Sequence, residues 1–349
     1  MNTTPTLPFR RRIGPALTLV LLAPLIAEVL PGATRISSLF VLPIEMAIWG
    51  GGALLIREAR RHFQLGWLQT LFLALGLALI EECLVQQTSL APVVIQIVPG
   101  EQYARAFGLN YLYFLWALAY EAVYVVFLPI LLTELIFRER GAAAWLRKPG
   151  RIVTGAIFVL ACIPAWYTWT QIARVKVFHQ APFTPPAAAL AISALALATL
   201  LVLALAPVRR HFQAARRPLA PPAPWVLGVC GGIAAVLWYC VMLLAFRLRP
   251  QFPPGIAMAA GVAVALAVIY LLPRFAAHPR WNDAHRLGII LGTMFGSMSV
   301  SFAGFIYGAA PLDLYGKIVL DAIAAVLLVW LAASRRGMSA ARPSPPATR

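Results

Sequence analysis

Hydrophobic positions along this chain come in long unbroken blocks, not in the alternation of strands or the stripes of surface helices. Ten blocks stand between clusters of charge, proline and glycine: about 13–30, 36–56, 65–86, 109–137, 152–168, 185–207, 225–246, 254–272, 287–308 and 314–333. A bilayer core takes about 20 apolar residues per helix, so each block predicts a membrane span. The expected fold class is all-α, a polytopic transmembrane helix bundle of about ten spans forming one domain. Residues 1–12 form a short cytoplasmic arm and 334–349 a disordered cytoplasmic tail. The fourth block is long enough to tilt or kink, and Pro129 marks the place for a kink. The first block follows Arg10, Arg11 and Arg12 as a signal peptide would. Its length, its Glu28 and the lack of an Ala-x-Ala cleavage pattern instead predict a retained helix.

Composition agrees with the pattern. Of 349 residues 61% are apolar and 12% charged, and the mean hydropathy is +0.80. Soluble domains hold roughly 45–50% apolar and about 25% charged residues, so an ordinary soluble fold is excluded. Charge fixes the expected orientation. With the N-terminus inside, 22 of the 29 Lys and Arg residues fall on the cytoplasmic side. The other seven, Arg35, Arg105, Arg174, Lys176, Arg247, Arg249 and Lys317, fall outside. Positive residues accumulate in short cytoplasmic loops, which predicts both termini inside and a bacterial cytoplasmic membrane. The same loops account for the net charge of +17 as attraction to an anionic leaflet, so the expected partner is the lipid bilayer and not nucleic acid.

Several features carry little chemistry. Arg209–Pro224 and Pro343–Arg349 are proline-rich and predicted extended. Arg-Arg-His-Phe-Gln occurs at 60–64 and 209–213 as two similar loops, and ten spans fit a five-plus-five inverted repeat that no residue pattern demonstrates. Cys83, Cys162, Cys230 and Cys240 lack metal-ligand spacing and read as small packing residues. No metal and no cofactor are expected. Gly288, Gly292 and Gly296, followed by Gly304 and Gly308, form a small-residue face for close helix packing, with Thr293, Ser297 and Ser301 beside it. Gly50-Gly51-Gly52 is a place where the second span could break.

Acidic residues are the informative class. Seven of the twelve fall within or at the edges of spans: Glu28, Glu45, Glu81, Glu82, Glu121, Glu134 and Asp321. Burying an Asp at a helix centre costs roughly 2.5–3.5 kcal/mol, and no Lys or Arg is placed deep enough in a span to neutralise most of them. All but Glu134 fall in the outer half of the membrane. If their helices adjoin, they line a cavity open to the outside. Glu45, Glu81, Glu82, Glu121 and Asp321 are the candidate proton- or cation-binding residues. Gln86, Asn110, Tyr113, Tyr120 and Tyr124 are candidate cavity-lining residues, with Glu82 and Gln86 four apart on one face. The stretch 86–99 is too short to span and too apolar for a plain loop, which predicts a re-entrant or interfacial segment.

Glu81-Glu82-Cys-Leu-Val-Gln86 resembles the Glu-Glu-x-x-x-Arg motif of the CAAX-protease and bacteriocin-processing membrane family. That resemblance implies Glu81 as the base that activates water for peptide cleavage. The chain departs from the family's pattern where its Arg stands as Gln86 and where its Phe-x-x-x-His motif stands as Ala117 and Glu121. All five histidines, His62, His179, His211, His278 and His285, are placed in loops. The stretches Glu81–Pro92, Gly108–Ala117 and Pro129–Phe137 resemble bacterial polytopic membrane proteins with no assigned activity. Phosphate-loop, zinc-helix and nucleophile-elbow motifs are missing. The expected function is proton- or cation-coupled transport of a small solute, with no catalytic residue assigned. The alternatives are an intramembrane enzyme acting on peptide or lipid, and a non-catalytic sensor or structural protein.

Overall fold

The computed structural model describes residues 8–92, 103–206, 217–248, 251–306 and 309–340. Ten helices among them are long and apolar enough to cross a membrane. They are span 1 (Arg11–Val29), span 2 (Ile36–His62), span 3 (Trp67–Val85), span 4 (Tyr111–Ile136) and span 5 (Lys148–Val177). Span 6 (Ala187–Leu205), span 7 (Pro224–Phe246), span 8 (Pro254–Ala276), span 9 (Asp283–Phe305) and span 10 (Pro311–Ser334) complete the set. The chain is a multi-pass α-helical membrane protein. The β structure among the described residues is one unexpected antiparallel ribbon, Arg105–Ala106 against Leu109–Asn110, just ahead of span 4.

Boundaries differ from expectation where charged side chains find partners inside the protein. Span 2 runs on to His62 and span 5 to Val177. Arg57, Glu58 and Arg174, expected in loops, therefore sit on helices and are 0%, 1% and 2% exposed. The first helix begins at Phe9, within the expected arm, and the last continues to Ala340, into the expected disordered tail. The apolar stretch 93–99, the second Arg-Arg-His-Phe-Gln string, Gly308 and the tail beyond Ala340 lie outside the described residues.

Spans 1–5 each contain a π-helical stretch: Leu25–Val29, Met46–Gly50, Ile80–Val85, Glu121–Phe127 and Thr168–Val177. Hydrogen bonds there reach back five residues, as from Leu30 N to Leu25 O at 2.9 Å and from Gln86 N to Glu81 O at 2.7 Å. In span 4 the wide turn stands where a kink at Pro129 was expected. Proline lacks the N–H that would bond the Val125 carbonyl, and the helix widens over the seven residues that end two before it.

Glycine sets the closest helix approaches. Gly50 lies against the backbone of Val20 in span 1, and a Cβ on Gly52 would come within 2.8 Å of Leu77. The glycine run therefore admits neighbours without breaking span 2, which continues as regular α-helix from Gly51. Between spans 7 and 9, Gly288 meets Pro224, Gly292 meets Gly228, and a Cβ on Gly296 would stand 2.6 Å from the Gly232 carbonyl. Nothing stands near a Cβ on Gly304.

Half or more of the apolar stretch in each of spans 1–4 is buried, against none in span 5 and about a tenth in spans 6 and 8. The core thus sits among the first four spans and is covered by spans 7 and 9. At one end of the bundle, here the basic end, Arg57 ties span 2 to span 4 and to the loop that follows it. Its Nη1 donates to Glu58 at 2.6 Å and its Nη2 to the Gly141 and Ala143 carbonyls at 2.7 and 2.8 Å. Its guanidinium lies 3.4 Å over the Trp145 ring. Glu58 accepts from the amides of Trp145 and Leu146, and Glu134 accepts from Arg61 at 2.6 Å. Arg138 pairs with Asp283 at the start of span 9 on this same end.

Candidate functional site: a buried carboxyl cluster

Spans 1–4 bring Glu28, Glu45, Glu81, Glu82 and Glu121 into one neighbourhood near the end opposite the basic one. Each lies in a π-helical stretch or directly precedes one. Such turns splay successive side chains, so that Glu81 and Glu82 both face inward at 2% and 4% exposure. Glu45 is 4% and Glu121 8% exposed, while Glu28 is half-buried. Glu81 and Glu121 face each other, with the Trp49 indole beside Glu121.

Partners are few, and among the described residues none is a cation. Thr34 donates its hydroxyl to Glu45. Ser89 donates to Glu82 through both its amide and its hydroxyl, at 2.6 and 2.5 Å. Gln86 donates to Glu81 at 3.1 Å. Gln86 was expected on the face of Glu82, four residues earlier, but the π-helical register places residues five apart above one another and sets it against Glu81. The Oε2 atoms of Glu45, Glu81 and Glu121 meet no donor among the described residues. Two carboxyl groups facing each other in a dry interior are tenable when a proton lies between them, because like charges there repel strongly.

Beside the carboxyls an aromatic ladder runs along span 4. Tyr113 and Trp116 stand 5.5 Å apart, Trp116 stacks on Tyr120 at 4.9 Å, and Tyr120 stacks on Tyr124 at 4.6 Å. Tyr120 donates its hydroxyl to the Ala27 carbonyl in span 1. Tyr239 of span 7 meets Trp116 and Tyr120 edge-on, and its hydroxyl lies 3.4 Å from Ser297 of span 9. Ile26, Leu30, Tyr124, Met294, Ser297 and Met298 line a tight crevice alongside that has no room for a water molecule.

Several expectations need correction. Asp321 does not join the cluster: Lys317, one turn earlier on span 10, pairs with it. Lys317 was placed outside as a loop residue, yet it is 3% exposed and also donates to the Leu30 carbonyl at 2.5 Å. Its long apolar stem lets the ammonium reach inward to those acceptors. It corrects the expectation that no Lys or Arg lies deep enough in a span to neutralise its acidic residue, and Arg57 does the same for Glu58 nearer the end of span 2. Asn110 caps the start of span 4 and lines no cavity. Its carbonyl accepts from Tyr113 N at 3.0 Å and its amide donates to Tyr103 O at 3.2 Å. Glu45, Glu81, Glu82 and Glu121 are all buried, with Trp49 and the tyrosines of span 4 buried beside them.

Glu28, Trp49, Tyr239 and Ser297 belong to this neighbourhood although they were not among the candidate site residues. For Glu28 its place in an apolar span was the available signal, whereas Trp49 and Tyr239 look like ordinary apolar-helix aromatics. Among the described residues no three His, Cys, Asp or Glu side chains are arranged to hold a metal ion, and the four cysteines are free thiols.

This assembly defines a class: a polytopic membrane protein with a buried carboxyl cluster among its first four spans that has no cationic partner among the described residues. No protein-family model, no curated protein and no solved structure matches the chain.

Proposed function

We propose that the protein couples proton binding at the Glu81–Glu121 pair to movement of a small solute across the bacterial cytoplasmic membrane. The observation that carries this reading is the facing of two carboxyl groups from spans 3 and 4 within a five-carboxyl cluster that lacks a cationic partner among the described residues. A carboxyl in an apolar interior favours its neutral form, so each conformation that opened the cluster to water would release protons. The packed arrangement is then the occluded member of an alternating cycle, with Glu45, Glu81, Glu82 and Glu121 as proton-binding residues. Basic residues at the Arg57 end support a cytoplasmic placement of that end, and with it both termini inside.

Vesicles containing the purified protein and an internal pH dye test the reading. Imposed gradients of amino acids, sugars, organic acids and monovalent cations are expected to include one that drives proton flux. That flux is lost in Glu121→Gln and in Glu81→Gln while the variants remain folded. Flux equal to wild type in both variants overturns the proposal.

A second reading, an intramembrane hydrolase, is favoured by the same adjacency, since two carboxyls beside each other can share general acid and general base work. It predicts peptide or lipid cleavage lost in Glu81→Gln, with no solute-dependent proton flux.

A further inference from the structure

We propose that spans 1, 9 and 10 build a monovalent-cation site whose occupant is the chain's own Lys317 ammonium, and that an alkali-metal cation takes its place once that ammonium is removed. This site is separate from the carboxyl cluster and holds whether or not that cluster binds protons.

Three helices each deliver oxygen to one point. Span 1 ends its π-helical stretch at Val29, and the carbonyl of Leu30, just beyond, accepts from Lys317 Nζ at 2.5 Å. Span 9 is broken near its end. Its regular helix stops at Ser301, the Phe302 amide turns to the Val300 carbonyl, and a new helical turn starts at Ala303. In an unbroken helix that amide would bond the Met298 carbonyl, four residues earlier. The Met298 carbonyl instead accepts from Lys317 Nζ at 3.3 Å and from the Ser301 hydroxyl at 2.9 Å. Span 10 supplies Asp321, which accepts from Lys317 through Oδ2. Its Oδ1 is buried and meets no donor among the described residues, so the carboxylate still has an unused oxygen. The Phe302 ring stands 4.6 Å from Nζ, within reach of a cation–π contact.

An ion pair alone would need only the carboxylate. Here two carbonyls from separate helices converge as well, both at helix ends, where the backbone dipole favours a cation. Carbonyls released where a membrane helix breaks, together with half-helix ends, are the groups with which membrane proteins coordinate a bare monovalent ion. Charge sets the class of ion. One carboxylate balances one positive charge, whereas a divalent ion would leave a surplus charge buried. Lys317 stands six residues into span 10, and Leu30 one residue past the end of span 1. The site therefore lies toward the end of the bundle opposite the basic one. The ammonium arrives there on its own stem, so the wild-type chain fills the site without drawing an ion from solution.

Thermal unfolding of the full chain in detergent, in sodium, lithium, potassium or choline chloride at equal concentration, tests this. Choline carries the same charge but is too large for the site. Lys317→Ala is expected to unfold at least about 2 °C higher in one of the alkali-metal salts than in choline chloride, with a midpoint that rises with that ion's concentration. Wild type is expected to show no such difference, because its ammonium already occupies the site. Lys317→Ala combined with Asp321→Asn, which lacks the charged ligand, is expected to show none either. Equal Lys317→Ala midpoints in all four salts overturn the proposal, as does an alkali-metal response of the same size in wild type or in the double variant. If Lys317→Ala folds in none of the salts, Lys317→Ser is put through the same comparison and judged by the same outcomes. Failure of both variants to fold in any alkali-metal salt overturns the proposal, since a free cation is then no substitute for the ammonium.

Discussion

Spans 2 and 4 each contribute to two buried clusters of charge, and the two are built on opposite principles. At the basic end Glu58 and Glu134 are met by Arg57 and Arg61 at 2.6 Å, and both loop amides and carbonyls complete the network. Twelve to thirteen residues away along the same helices, about 18–20 Å at 1.5 Å per residue, Glu45 and Glu121 have no cation. Burial is nearly equal, since Glu58 is 1% and Glu45 4% exposed. What separates the two is the source of neutrality. Guanidinium groups lie against the first, whereas among the described residues the second has only hydroxyl, amide and aromatic neighbours. A paired network locks a loop in place; on the proposed reading, the unpaired one changes its charge.

The largest effect should come from removing the fixed cation. Arg57→Met leaves the buried Glu58 without its cation while Glu134 keeps Arg61, and breaking a buried pair from one side costs about 3–5 kcal/mol. Thermal unfolding in detergent should show a correspondingly large drop, and a shift of less than 1 kcal/mol would rule out the bracket as a stabilising element. Lys317→Met is expected to cost about 3 kcal/mol, the low end of the same range, with most of it recovered in Lys317→Met combined with Asp321→Asn. Failure of the double variant to recover would show that the carbonyl contacts of Lys317, not its charge, hold span 10. The smallest effect belongs to Glu121→Gln. If a proton already neutralises Glu121, an amide of the same shape replaces a neutral group and stability changes by less than about 1 kcal/mol, although activity is lost. A loss as large as that of Arg57→Met would mean that Glu121 is held ionised by a partner.

Span number and composition class were legible because every apolar block is long enough to cross a bilayer and is bounded by charge. The convergence of Glu45, Glu81, Glu82 and Glu121 was legible in outline because all are placed in the same half of the membrane. Asp321 was misjudged because its cation, Lys317, lies within the same helix four residues earlier, where a count of loop charges assigns it to the surface. The pairing of Gln86 with Glu81 was hidden by the π-helical turn, since a period of 3.6 residues places Gln86 under Glu82 instead. Tyr239 and Ser297 lie far along the chain from the carboxyls, and only the glycine-lined contact of spans 7 and 9 hinted that residues there meet.

The wide turns of spans 1–5 have a consequence for rotational phase. Each turn that holds one extra residue advances everything after it by about 100° around the helix axis relative to a regular α-helix. In span 4 this sets the azimuth of Leu128–Ile136, and hence of Glu134, independently of the face on which Tyr113, Trp116 and Tyr120 are stacked. Deleting a single residue between 121 and 127 would therefore act as a twist of one half of the rod against the other. It would swing the arginine-paired carboxyl away from span 2 while leaving the tyrosine ladder ahead of it in register.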